Sequence, residues 1–261
     1  MNKYFFKDVF QIGWMCEPII GCSVGCYYCN TFKGAKRRGW VKTRKEWMIP
    51  QIDKIDTEVF EKELQNIISD IKNNKVIDFI ALCGTTDAFC NDKTIETFYL
   101  CKSIIEKYNI ITRVWTKSKI PCDYGKLNPK TSEVGITIDS FRLYDKHLTN
   151  NNIKMLETLK EKGFCTFVAL HPLDIRLSFS KLQGILEKLI FVNNISFGIL
   201  DKYEPNTHKK QFDIAYKYSD YIANFCEKNK INFRNGGYYF SIENKKRLIE
   251  RGITKQILYP V

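Results

Sequence analysis

An α/β fold built on parallel strands is the class this sequence predicts. Short runs of β-branched and aromatic residues alternate along the chain with longer amphipathic stretches, the pattern of repeated strand–helix–strand units. No internal repeat, low-complexity tract or Pro/Gly/Ser-rich linker interrupts that alternation. The chain therefore reads as one domain over residues 1–261, with a core of about 8–204 and a C-terminal extension of about 205–261.

In chain order, the first strand is expected at Asp8–Trp14. A helix follows at Thr57–Lys72, where Phe60, Leu64, Ile67, Ile68 and Ile71 keep the i+3 and i+4 spacing of one buried face. Next come a strand at Val76–Leu82, a helix at Lys93–Tyr108, and strands at Ile111–Thr116 and Val134–Asp139. The helix at Asn151–Lys162 meets Gly163 where a C-cap glycine would end it. Strand Cys165–His171, helix Phe179–Phe191, strand Ile195–Leu200 and helix Asn206–Asn229 complete the series, with Ile231–Arg234 as a seventh extended element. Six or so such units can close fully or stay open as a partial barrel, and chemistry then sits at the C-terminal strand ends.

Composition narrows the function classes. The chain is 44% hydrophobic over 261 residues, enough for a substantial core, and its 27% charge and 14% aromatic content argue against global disorder. No apolar run reaches the ~18 residues that span a bilayer, and MNKYFFKDVFQIGW lacks the apolar core of a signal peptide. A cytoplasmic protein without membrane partners is expected. Ten cysteines in such a chain point to metal or redox chemistry rather than disulfides, because four of them lie between positions 16 and 29. The formal net charge of +12 favours polyanionic partners.

The informative segment is Cys22-Ser-Val-Gly-Cys26-Tyr-Tyr-Cys29, a CxxxCxxC spacing beyond the first strand. Three thiolates on one short loop can hold a cube-shaped cluster and leave one iron without a protein ligand. That iron can chelate the amino and carboxylate groups of a small molecule and pass it one electron. Gly21 and Gly25 allow the loop unusual backbone angles. A zinc site with Cys16 as fourth ligand is the competing metal reading.

At these residues the sequence resembles the radical S-adenosylmethionine (SAM) superfamily, whose signature is CxxxCxxC with an aromatic before the last cysteine, here Tyr28. The resemblance runs from about Val9 to Leu200. It implies a partial (β/α)6 barrel of parallel strands with a 4Fe-4S cluster loop after strand 1, held by Cys22, Cys26 and Cys29. It also implies reductive cleavage of SAM to a 5′-deoxyadenosyl radical that abstracts a substrate hydrogen. Tyr28 would lie against the adenine, and an external flavodoxin- or ferredoxin-like protein would supply the electron.

Within the superfamily, Gly84-Thr85-Thr86-Asp87 is similar to the Gly-Thr-x-x-Asp stretch of the spore photoproduct lyase-like branch, and departs from the commoner Gly-Gly-Glu. The resemblance assigns this stretch to the SAM ammonium group. Thr116-Lys117-Ser118 matches the branch's Thr-Lys-Ser, with Lys117 on the SAM carboxylate, and Asp139 and Ser140 end the fourth strand as ribose candidates. The branch's lyases use a cysteine near the second-strand end as a hydrogen donor. Cys83 and Cys90 flank that place without matching its register.

Lys33–Lys45 follows the cluster motif as an expected loop carrying seven basic residues in thirteen. Lys36, Arg37 and Arg38 can neutralise phosphates and Trp40 can stack on an unpaired base. His171, Asp174, Asp201 and Glu204, at later strand ends, are further substrate candidates. A radical SAM enzyme acting on a nucleic acid or nucleotide is the resulting expectation. The alternatives are an activase or peptide-modifying enzyme with a protein substrate, and a non-enzymatic metal-containing nucleic-acid binder.

Overall fold

The computed structural model describes residues 4–7, 14–73, 79–120, 126–139, 146–174, 177–199 and 208–235. The chain divides into two compact units, Met1–Glu133 and Val134–Val261.

In the first unit, strand β1 (Phe5–Lys7) pairs antiparallel with β2 (Trp14–Cys16). The strands β2, β3 (Phe79–Leu82) and β4 (Ile111–Thr116) then run parallel, with Cys16 opposite Leu82 and Phe79 opposite Ile111. All four residues of β3 are buried, as expected of a parallel strand covered on both faces. Helix α3 (Thr57–Asn73) buries Phe60, Leu64 and Ile67, three residues of its expected stripe. Each such side chain contributes roughly 1.5–3 kcal/mol when fully buried. Helix α4 (Asp92–Glu106) starts from a reciprocal cap: Thr94 N–H donates to the Asn91 side chain (3.0 Å), and Asn91 N–H to the Thr94 hydroxyl (3.2 Å). That cap fixes where the segment after β3 ends.

Strand β5 (Ser132–Ile138) leads into the second unit, which continues with helix α5 (Lys146–Glu161) and strand β6 (Cys165–Leu173). Helix α6 (Phe179–Leu186), with a 3-10 turn at Glu187–Leu189, precedes β7 (Asn194–Ile199); α7 (His208–Lys228) and β8 (Asn232–Asn235) follow. Here β6, β7 and β8 are parallel. Gly163 takes a left-handed φ of 88° just past α5, the cap foreseen for it.

Sheet order follows chain order, β1 to β4 in the first unit and β5 to β8 in the second. The α/β class and the mostly parallel strands agree with the sequence pattern, and among the described strands no pairing closes the sheet into a barrel. Of the expected first strand, 8–13 lie outside the described residues and Trp14 opens β2. Among the described residues no helix is long and apolar enough to cross a membrane.

One expectation needs correcting. Lys33–Lys45 is not a loop throughout: helix α1 spans Asn30–Arg37 and the single-turn helix α2 spans Arg44–Trp47. The Cys29 sulfur caps α1, and Lys36 and Arg37 fall in its last turn, where cations suit the helix dipole. Glu46 N–H donates to the Thr43 hydroxyl (3.2 Å) while the Glu46 carboxylate accepts from Lys42 N–H (2.8 Å), starting α2. That backbone bond holds the exposed Glu46 carboxyl below its usual range.

Candidate metal and cofactor site

The cysteine loop begins six residues beyond β2 and is fixed by contacts with Trp47–Gln51. Ile20 and Gln51 exchange backbone hydrogen bonds of 3.1 and 2.7 Å, and Cys22 N–H donates to the Trp47 carbonyl at 2.8 Å. Gly21 adopts φ 101°, and a Cβ there would stand 2.7 Å from the Trp47 carbonyl oxygen, so no other residue fits this approach. A turn from the Cys26 carbonyl to Cys29 N–H (3.0 Å) brings the chain round, and the Cys29 sulfur accepts from Phe32 N–H at 3.3 Å.

Arg44 clamps the loop from α2. Its guanidinium donates to the carbonyls of Tyr27 (3.1 Å), Gly25 (3.0 Å) and Cys26. Three backbone carbonyls of the loop thus share one cation through charge-assisted bonds. Cys22 and Cys29, both half-buried, pack with Ile20 and Phe32 against Ala35, Val41 and Trp47.

Cys22, Cys26 and Cys29 are free thiols, none fully buried, on one loop whose backbone is held from outside. That donor set fits an iron–sulfur cluster, which takes thiolates. Among the described residues, no three His, Cys, Asp or Glu side chains are gathered as a ready metal-binding group. Cys16 stands apart from the loop. It is fully buried on β2, and burial, with a hydrogen bond to Cys101 and the nearby Cys83, drives its thiol well above the usual range.

The segment after β3 is organised by Asp87. Its buried carboxylate accepts from the Thr116 hydroxyl (2.8 and 2.9 Å to its two oxygens), Lys117 N–H (2.8 Å), Ser118 N–H (3.1 Å) and Phe89 N–H (2.9 Å). The Gly-Thr-x-Asp and Thr-Lys-Ser segments are therefore two halves of one hydrogen-bonded junction between the ends of β3 and β4. Both oxygens of the Asp87 carboxylate are occupied by these protein donors.

Lys117 reaches the cysteine loop from that junction. Its Nζ donates to the Tyr28 hydroxyl at 2.7 Å and lies 4.6 Å from the ring centroid. Gly84 is packed so tightly that a Cβ would meet Met15 Cε at 2.8 Å, Trp115 Cη2 at 3.2 Å and Glu17 Oε1 at 3.3 Å. Thr85 N–H donates to Glu17 Oε1 at 2.6 Å, while Thr86 Oγ1 lies 3.5 Å from Glu17 Oε2. Desolvation raises the Glu17 carboxyl to about 8, against opposing hydrogen bonds from Thr85, Gly84 and Thr86.

The two cysteines flanking this segment fall in different surroundings. Cys90 donates to the Asp87 carbonyl (2.7 Å) and meets Cys22, whose thiol bond to it, with bonds from Ser23, holds Cys90 below the usual thiol range. The same pairing lifts Cys22. Cys83 is buried, in a left-handed conformation (φ 57°), with its N–H on the Cys16 carbonyl at 2.8 Å. Only Cys90 is at the loop.

Cys22–Cys29, Gly84–Cys90 and Thr116–Ser118 thus meet within the first unit. Asp139 is buried just after β5, in the second unit; Ser140, Asp201 and Glu204 lie outside the described residues, whereas His171 on β6 and Asp174 just after it are described. Lys36, Arg37, Arg38, Lys42 and Lys45 are exposed, and the Arg38 guanidinium sits 4.9 Å over the half-exposed Trp40 ring. Glu17 and Arg44 were not singled out by sequence reasoning. A carboxylate after a strand and one arginine among many basic residues carry no local mark of their partners. Compared with known proteins, the chain matches no family model and no curated protein.

Proposed function

We propose that the chain is a cytoplasmic radical SAM enzyme of the spore photoproduct lyase-like branch, on a partial (β/α)6 barrel, acting on a nucleic-acid or nucleotide substrate. One observation carries this reading. Tyr28 and Lys117, assigned to SAM separately by resemblance and 89 residues apart, have their side chains 2.7 Å from each other. Cys22, Cys26 and Cys29 would hold the cluster, with Arg44 fixing the loop that bears them. Asp87 aligns Thr116–Ser118, so Lys117 enters the site from a braced backbone. When bound, the cluster and SAM supply an electron and a carbon-centred radical able to remove a substrate hydrogen. The test is anaerobic reconstitution followed by incubation with nucleic acids and nucleotides under a flavodoxin- or ferredoxin-type reductant. About four irons and four sulfides per chain and 5′-deoxyadenosine carrying substrate hydrogen are expected. A colourless protein, or one containing zinc, sinks the reading.

Lys117→Ala is expected to weaken SAM binding about tenfold or more, because a charge-assisted contact to a carboxylate is lost, and to leave iron content unchanged. Unchanged SAM affinity would remove Lys117 from the site.

The exposed basic residues of α1 and the turn after it support the substrate class. Binding of single-stranded nucleic acid is expected to weaken steeply with salt, each phosphate contact contributing about −0.7 to the slope of log K against log salt. Replacing Lys36, Arg37 and Arg38 together by Ala flattens that slope, whereas Trp40→Ala weakens binding at nearly constant slope, since stacking releases few counterions. Binding that is absent at low salt, or insensitive to the triple replacement, points to a small-molecule or peptide substrate instead.

A further inference from the structure

Arg44 is an arginine without a carboxylate. Its guanidinium donates to the carbonyls of Gly25 (3.0 Å), Cys26 and Tyr27 (3.1 Å) and lies 5.8 Å from the Phe32 ring centroid. Among the described residues it forms no ion pair. Glu46, two residues on, directs its carboxylate to Lys42 N–H and the Thr43 hydroxyl, and no acidic residue stands between Glu17 and Glu46. The half-buried cation therefore faces the cysteine loop with its charge uncompensated. Bracing alone does not call for a cation there. The loop is already fixed by the Ile20–Gln51 pair, by Cys22 N–H on the Trp47 carbonyl and by the Cys26–Cys29 turn, and a neutral donor satisfies a carbonyl as well. The thiols themselves receive partial charge of the same sign: the Cys29 sulfur accepts from Phe32 N–H (3.3 Å) and the Cys22 sulfur from Val24 N–H.

From this arrangement we infer that Arg44 sets the reduction potential of the cluster, holding it higher than the loop alone would. The assignment rests on the functional reading above and names the residue that governs how readily an electron enters that site. A cluster that gains an electron gains negative charge, and its potential follows net charge, hydrogen bonds to the sulfurs and exposure. A cation fixed on the Cys26 carbonyl stabilises the reduced form more than the oxidised one. Lys42 and Lys45 are exposed, so water and salt screen their charges far more. Asp87, the carboxylate that bears on Cys22, acts in the opposite sense, but its charge is dispersed over the N–H groups of Phe89, Lys117 and Ser118. Arginine keeps its proton throughout the physiological range, so its contribution does not fade as pH rises.

The test compares the full-length protein with Arg44→Gln and Arg44→Lys, each reconstituted anaerobically with iron and sulfide. All three are equilibrated without SAM against redox mediators while visible absorption reports the reduced fraction, and iron is counted on each. Gln keeps amide donors for the carbonyls and loses the charge, whereas Lys keeps the charge and loses the planar fork. At the potential where half of the unmodified clusters are reduced, Arg44→Gln is expected to show a reduced-to-oxidised ratio about tenfold lower, which for one electron is about 59 mV. Arg44→Lys is expected to stay within about threefold of the unmodified ratio, because the charge remains. An unmoved ratio in Arg44→Gln, an equal fall in both variants, or loss of iron from Arg44→Gln overturns the assignment, since each marks Arg44 as a brace alone. Unmodified protein that takes up no iron, or whose bound metal accepts no electron, overturns the functional reading and the assignment with it.

Discussion

Alanine at Cys22, Cys26 or Cys29 is expected to leave the anaerobically reconstituted protein colourless and nearly free of iron. Each replacement removes one of only three thiolates on the loop, and a cluster held by two protein ligands is not retained. Cys16→Ala is expected to bind iron as the unmodified chain does. Its sulfur lies inside the strand layer beside Cys101 and Cys83, so the change leaves a small void costing about 1 kcal/mol. Iron content and visible absorption, measured on all four variants, separate the sites. Loss of iron in Cys16→Ala would revive a ligand set that includes that residue.

Asp87→Ala is expected to be the most destabilising single change near the site, by about 3–5 kcal/mol in urea unfolding. The carboxylate accepts from three backbone N–H groups and a threonine hydroxyl. Removing it strands those buried donors, each at roughly 1–3 kcal/mol, only partly offset by relaxation. Asp87→Asn keeps one acceptor oxygen and should fall between. The measurement also discriminates between roles. Were Asp87 a cofactor ligand first, Asp87→Asn would unfold at the wild-type urea concentration and lose SAM affinity. A positioning role shows the opposite ordering.

Legibility in the sequence followed the range of the interactions. Strand Ile111–Thr116 has the expected bounds, and α3 and α4 fall within a residue or two of theirs, because their burial repeats every two or 3.6 residues. The three residues of β1 are too few to show alternation. Helices α1 and α2 are short and rich in charge: among their described side chains α1 buries Ala35 and α2 buries Trp47, so each offers too few apolar positions for a period to be counted. The cysteine spacing and the Thr-Lys-Ser segment were readable as motifs. Glu17 and Arg44 were not, since the partners of Glu17 are 68 residues downstream and Arg44 acts on backbone carbonyls, which every sequence has.

The antiparallel β1 bears on how the molecule behaves among its own copies. Without it, β2 would present a bare row of amide and carbonyl groups, a template on which a strand of another chain could add. With it, the sheet ends in a strand only three residues long, tied down where Tyr4 N–H meets the Glu63 carboxylate (2.9 Å) and Phe5 packs on Phe60 (centroids 4.8 Å apart). So short a border offers an incoming strand few bonds, and Lys7 at its end adds the charge that natural edges use against stacking. Colloidal behaviour in concentrated solution thus depends on a few residues that belong to no motif: a truncation that removes Phe5–Lys7 would spare the cysteine loop and still invite strand-by-strand association.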